Sequence, residues 1–186
     1  MNRLFDEKES WTNEERKARQ DEILAGMVKL GYAKSARLKQ IFDTNKINPL
    51  KIKSREDLET LPVTPREKLV EMEIQEPPYA GLENPEAKVD RIFTSPGPVY
   101  EPHLSENDYL WARAFPAAGI GPGDIALNAF SYHLVAAGLT FHTGLRKVGA
   151  TVVPSGTSSA QIQVQLIKDL SYCLRRHSQF SDEYYQ

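Results

Sequence analysis

The sequence predicts an α/β protein in which a helical lead-in is followed by a partial parallel sheet with crossover helices. Three observations carry that expectation. Up to about residue 76 the chain repeats helix-start chemistry followed by apolar residues at helical spacing. From residue 89 onward, short apolar runs at 89–93, 125–130 and 150–154 alternate with helical stretches. Gly- and Pro-containing turns separate the two kinds of segment. Strand alternating with helix gives a parallel sheet, because each crossover helix returns the chain to the same end, with right-handed connections.

Taken in order, Thr12 and Glu15 form a capping box before a helix that carries Ile23, Leu24, Met27, Val28 and Leu30, with Gly31 as its stop. A second helix is expected over 33–44, with Leu38, Ile41 and Phe42 on one side and Asn48-Pro49 beyond it. A short capped helix over 54–61 ends at Pro62. Thr64-Pro65-Arg66-Glu67 then supplies an N-cap, a proline at the first helical position and an acid three residues after the cap. The proline-broken stretch 77–85 marks a seam, so that 1–87 is the lead-in and 88–170 the partial α/β subdomain.

Within 88–170, the strand at 89–93 runs into a loop of Ser, Gly and Pro, and Ser105 opens a helix containing Tyr109, Leu110, Trp111 and Phe115. Residues 119–124 read as a turn and 125–130 as a strand. Residues 133–148 read as a helix whose small residues Ala136, Ala137, Gly138 and Gly144 let it lie close to a sheet. Gly149 fits the position just past that helix. A strand at 150–154 and a helix at 160–170, with Ile162, Leu166 and Ile167 inward, complete the pattern.

Composition narrows the function. A formal charge of −2, with basic residues scattered, argues against nucleic acid and anionic membrane as partners. One cysteine excludes an internal disulfide framework and a multi-cysteine zinc site. No apolar run is long enough for a spanning helix and the start has no signal core, so a cytoplasmic protein is expected. His103 and His133 have no partners at metal-ligand spacing, and Glu101, Asp108 and Asp124 fit turns and caps. No catalytic residue and no metal ligand is therefore nominated.

The loop after the first strand is the chemical candidate. A strand that stops at small residues before a helix exposes backbone N–H groups to an anion. Here the stretch reads Thr94-Ser95-Pro96-Gly97-Pro98-Val99-Tyr100, without the spacing of a Walker or dinucleotide loop.

Several segments together resemble the N-terminal part of phenylacetate–coenzyme A ligase, of the adenylate-forming ligase superfamily. Leu61-Pro62-Val63-Thr64-Pro65-Arg66-Glu67-Lys68-Leu69 is similar to its L-P-x-T-x-K-x-x-L segment. Ala117-Ala118-Gly119-Ile120-Gly121-Pro122-Gly123-Asp124 resembles its A-A-G-(V/I)-x-x-G-D turn, and Phe130 through Gly138, Leu139 and His142 its Tyr/Gly-rich helix. Gly149 to Pro154 and Gln163 to Asp169 continue in register. The resemblance covers roughly residues 60–170 and implies ATP-dependent activation of an aryl or other small carboxylic acid to an acyl-adenylate, then transfer to coenzyme A.

The resemblance implies ATP, Mg²⁺ and coenzyme A as cofactors. It places Thr94, Ser95 and Gly97 on the family's S-S-G-T-T-G-x-P nucleotide loop, with the second Thr and the next Gly absent. Pro96 and Pro98 remove N–H donors there, which weakens the expected grip. The resemblance also places Tyr132, with Val135 beside it, in the acyl pocket; both residues equally suit packing of a helix onto the sheet. His142 matches a family histidine and is read as a helix-packing residue.

Beyond Asp169-Leu170 the likeness stops. The family continues with a Thr-rich strand, whereas residues 171–186 are polar and basic without strand pattern. Codons for Tyr172 to Asp182 can be chosen so that reading one base later gives Thr-Ala-Tyr-Val-Gly-Thr-Pro-Ser-Phe-Leu, a match to that strand. A frameshift near Ser171 is the expectation, with Cys173 left without a selected role. The chain would then lack the later nucleotide-binding segments and the C-terminal catalytic lysine, and would be inactive alone. The alternative is a non-enzymatic binding or regulatory module that self-associates or pairs with a chain carrying the missing half.

Overall fold

The computed structural model describes residues 4–104 and 110–174, and of residues 171–174 only the backbone. The chain divides into two compact units, one of Ser10–Leu104 and one of Met1–Glu9 with Ser105–Gln186. The seam read at 87/88 lies inside the first unit, just before its hairpin.

The first unit begins with α1 (Asn13–Lys34), whose capping box forms as the sequence requires. Glu15 N donates to Thr12 Oγ1 at 3.2 Å and Thr12 N to Glu15 Oε2 at 2.8 Å, so two otherwise orphaned donors are satisfied. Gly31 does not stop this helix. α1 continues to Lys34, and Ser35 both ends it and caps α2 (Ala36–Thr44), accepting from Leu38 N at 3.2 Å. Gly31 serves packing instead, since a Cβ there would sit 2.9 Å from Leu38 Cδ1.

Short 3₁₀ turns follow at Pro49–Lys51 and Glu56–Thr60, the second tied by Asp57 Oδ2, which accepts from Lys53 N and Ser54 N, both at 2.9 Å. α3 (Arg66–Gln75) starts one residue later than the expected box, with Pro65 as its cap residue and no side-chain cap bond. Arg37 ties α2 to the turn after α3 through Ala80 O at 2.9 Å and Glu76 Oε2 at 2.6 Å.

The loop expectation changes here. β1 (Arg91–Ser95) is followed by a second strand, β2 (Val99–His103), paired antiparallel with Ser95 opposite Val99. The Ser/Gly/Pro stretch is thus a hairpin turn and not a strand-to-helix turn. Pro102 and the short run after Pro98 concealed the strand, because proline reads as a strand breaker away from sheet edges. The cap at Ser105 and the residues up to Tyr109 lie outside the described residues. Among the described residues here, Leu110 to Arg113 are turns and α4 (Ala114–Ala117) is helical.

The second unit holds β3 (Ile125–Leu127) and β4 (Thr151–Val153), paired parallel with Ile125 opposite Thr151, and α5 (Ala136–Lys147) connects them. This is the parallel strand–helix–strand unit the alternation predicts. Gly149, at φ 86, follows the helix end as expected. α6 (Ala160–Leu174) outruns the expected end at residue 170, and its Ile162 is exposed instead of inward, while Leu166 and Ile167 are half-buried. The rest of the tail, 175–186, lies outside the described residues. Phe115, Leu145 and Ala150 form the buried core, flanked by Ile120, Ala126, Phe141, Val148 and Val152.

Candidate functional site

At the hairpin turn, Pro96-Gly97-Pro98 joins β1 to β2. Two of these three residues have no N–H to offer. The acceptors of the turn are also occupied. Arg66, from the start of α3, donates through Nη2 to Ser95 Oγ at 2.9 Å and through Nε to Pro96 O at 3.1 Å, with a further Nη2 contact to Pro96 O. Gly97 has φ 157, and a Cβ there would lie 2.9 Å from Val70 Cγ2. Glycine is therefore favoured there by backbone angle and by packing, apart from any ligand. Buried Glu73 accepts from Tyr100 N at 2.9 Å and fixes β2 to α3. Thr94, Ser95 and Gly97 are thus brought together at the end of β1 and in a turn that Arg66 braces. Among the described residues no group of three or more His, Cys, Asp or Glu is placed to hold a metal ion.

The second unit offers the stronger polar constellation. Asn128, just past β3, is 4 % exposed, and its Oδ1 accepts from Phe130 N at 3.2 Å. Its Nδ2 donates to Gly138 O and to Tyr132 Oη, each at 2.8 Å. Tyr132 Oη in turn lies 3.2 Å from His142 Nδ1, and the two rings meet edge to face at 5.9 Å. The first turn of α5 is pressed onto this segment, because Gly138 N donates to Ser131 O at 3.1 Å and a Cβ on Gly138 would fall 2.2 Å from that oxygen. Burial pushes the Tyr132 hydroxyl up, opposed by the Asn128 hydrogen bond, and burial followed by nearby Arg146 pushes His142 below its ordinary value. Both shifts favour the neutral forms.

Beside Asn128 lies an apolar cavity of about 380 Å³, lined among others by Phe115, Leu127, Phe130, Phe141 and Leu145. Phe141 packs against Trp111, Phe115 and Phe130, with ring centroids 4.4, 5.8 and 4.6 Å apart. Trp111 Nε1 donates to Thr140 Oγ1 at 3.1 Å. Neither Tyr132 nor Val135, the two residues expected in an acyl pocket, lines this cavity, nor does His142; Val135 is exposed at the α5 cap. Asn128 escaped the sequence reading because an asparagine after a strand looks like turn chemistry. His142 was recognised only as a packing residue; its spacing from Tyr132 was the available signal.

No protein-family model matches the chain. Curated relatives do. Phenylacetate-coenzyme A ligase of Thermus thermophilus is 30% identical over 171 residues, covering 88% of this chain and 38% of the relative. The Escherichia coli K12 enzyme of the same name is 29% identical over 190 residues, covering 93% of this chain and 43% of the relative. A crystal structure of 2-hydroxyisobutyryl-CoA ligase in the postadenylation state, in complex with 2-HIB-AMP, superposes with a TM-score of 0.76 at 18% identity, over 92% of this chain and 36% of that one, a likeness of fold. The chain spans about two fifths of the length of the curated relatives it matches. Sequence likeness to phenylacetate-coenzyme A ligases thus runs along most of this chain and over about two fifths of theirs, and the fold agrees with that of a CoA ligase.

Proposed function

We propose that this chain is the acid-recognising front portion of an adenylate-forming acyl-CoA ligase and does not form an adenylate by itself. The observation that carries the reading is the chemistry of the β1–β2 turn. Adenylation requires triphosphate charge to be held by donors, yet Pro96 and Pro98 lack N–H groups and the donors of Arg66 are engaged by Ser95 Oγ and Pro96 O. ATP and coenzyme A follow from the family, and in a complete ligase ATP supplies the leaving group for acid activation.

Residues of the second unit are the ones that would meet the acid. Asn128 lines the aromatic-walled cavity and is hydrogen-bonded to Tyr132, which reaches His142, so a small set of neutral polar groups adjoins an apolar pocket, the pattern of a small-molecule site. The deciding experiment pairs two measurements on the purified chain. Pyrophosphate exchange with ATP and phenylacetate is expected to be absent, and calorimetric titration with phenylacetate is expected to show saturable binding. Exchange above background would overturn the inactive reading; no heat of binding would overturn the acid-recognising one.

A second reading, a module that self-associates or binds a partner chain, is favoured by one observation. Ile23, Met27 and Leu30 lie along one face of α1 and are 44 %, 65 % and 53 % exposed. Light scattering of the parent chain and of Met27→Glu tests it: a mass above the monomer that falls in the variant is the expected result.

A further inference from the structure

The hydrogen bonds around Asn128 have a determined direction. Amide oxygen and nitrogen are assigned from their partners, and here two partners admit only one assignment. Phe130 N is a backbone donor, so it must face Oδ1, and Gly138 O is a backbone acceptor, so it must face Nδ2. The second Nδ2 hydrogen therefore points at Tyr132 Oη, 2.8 Å away. Tyr132 then receives a hydrogen bond on its oxygen and has its own proton to place. The acceptor within reach is His142 Nδ1 at 3.2 Å. An imidazole that accepts at Nδ1 in its neutral form carries its hydrogen on Nε2.

We propose that Asn128 is a positioning residue: its buried amide sets the direction of the Tyr132–His142 hydrogen bond, so that the site presents His142 Nε2–H, and not the Tyr132 hydroxyl, as the donor to an oxygen of a bound carboxylate. The tyrosine hydroxyl is a relay between Asn128 and His142. The ligand class rests on the acid-site reading above, whereas the direction of the relay rests only on the hydrogen-bond geometry.

The test is ¹⁵N NMR of the His142 ring in conditions where it is neutral. The parent chain is expected to show hydrogen on Nε2 essentially alone. Tyr132→Phe, which leaves the bond from Asn128 to Gly138 O in place, is expected to relax this to a mixture of tautomers. Asn128→Asp replaces the donor by an acceptor and is expected to draw the tyrosine proton toward itself, moving the histidine hydrogen to Nδ1; should that variant not fold, Tyr132→Phe decides. Hydrogen on Nδ1 in the parent, or a tautomer indifferent to Tyr132→Phe, would overturn the relay. Added phenylacetate is expected to shift the Nε2–H resonance. A phenylacetate response at Tyr132 without one at His142 would refute this inference and leave the acid-site reading standing, while no response at any residue of the site would refute both.

Discussion

Two stretches carry ligase-like residues, the β1–β2 turn and the 128–142 segment, and they differ in what their polar groups are free to do. In the turn, Ser95 and Gly97 keep the family spacing, but prolines remove donors and Arg66 occupies the acceptors. In the segment, the amide oxygen of Asn128 has one partner and its Nδ2 two, and the chain of donors leads to His142. Residue identity at a motif position is therefore a weaker guide than the direction and availability of the hydrogen bonds there. The turn preserves a shape braced by its own side chains. The segment holds an oriented polar network next to an aromatic-lined cavity.

The largest effect is expected where that orientation is built. Gly138→Val places a branched side chain where even a Cβ would fall 2.2 Å from Ser131 O, a backbone atom that cannot move aside. A loss of about 3 kcal/mol or more is expected, the upper end for overpacking, with loss of the Tyr132–His142 relay in the ¹⁵N spectrum. Denaturant unfolding measures the first. A variant as stable as the parent would mean that α5 does not dock through this glycine.

At the turn the corresponding change costs less. Gly97→Ala puts a Cβ 2.9 Å from Val70 Cγ2, the end of a side chain that can shift, at a φ of 157 that side-chain-bearing residues rarely adopt. A loss of about 1–3 kcal/mol is expected. If the turn is held only by its own bracing, triphosphate affinity, measured by calorimetry, will be unchanged by this substitution.

Restoring donors sharpens the contrast further. Pro96→Ser together with Pro98→Thr returns two N–H groups to the turn. One new hydrogen bond to a charged phosphate contributes about 1.5 kcal/mol, so inorganic triphosphate is expected to bind about tenfold more tightly than to the parent. No gain would show that the prolines are not what limits the turn.

Legibility followed the range of the forces involved. The capping box of Thr12 and Glu15, the αL glycine at Gly149 and the alternation that yields β3, α5 and β4 depend on neighbours in sequence, and they were readable. The strand Val99–His103 was not, since its identity comes from pairing with β1 and not from its own proline-containing residues. Gly31 illustrates the same limit: local chemistry reads a stop, while packing of Leu38 supplies the reason for a glycine. In the 128–142 segment, Tyr132 stands out in the sequence by resemblance. Asn128 was not, because its role arises only when Phe130, Gly138 and Tyr132 converge on one side chain.

The two regions also separate on the pH axis, and the smallest effect is the most specific. His142 is held below its ordinary value of 6.5 by burial and then by Arg146, so the folded chain resists a proton that the unfolded chain takes up. Its contribution to stability is present above 6.5 and is lost as pH falls through the lowered folded value. In the first unit, Asp57 lies below its ordinary 3.8 through the backbone bonds from Lys53 and Ser54, and Glu15 below its ordinary 4.5 through Thr12. Those contributions persist until the pH drops beneath the ordinary carboxylate range. Denaturant midpoints measured from about pH 7.5 down to about pH 3 are therefore expected to fall in two stages. His142→Gln should flatten the upper stage and leave the lower one, and Asp57→Asn should do the reverse. If His142→Gln leaves the upper stage intact, His142 is not held neutral in the folded chain, and the donor chain from Asn128 would lose its terminal acceptor.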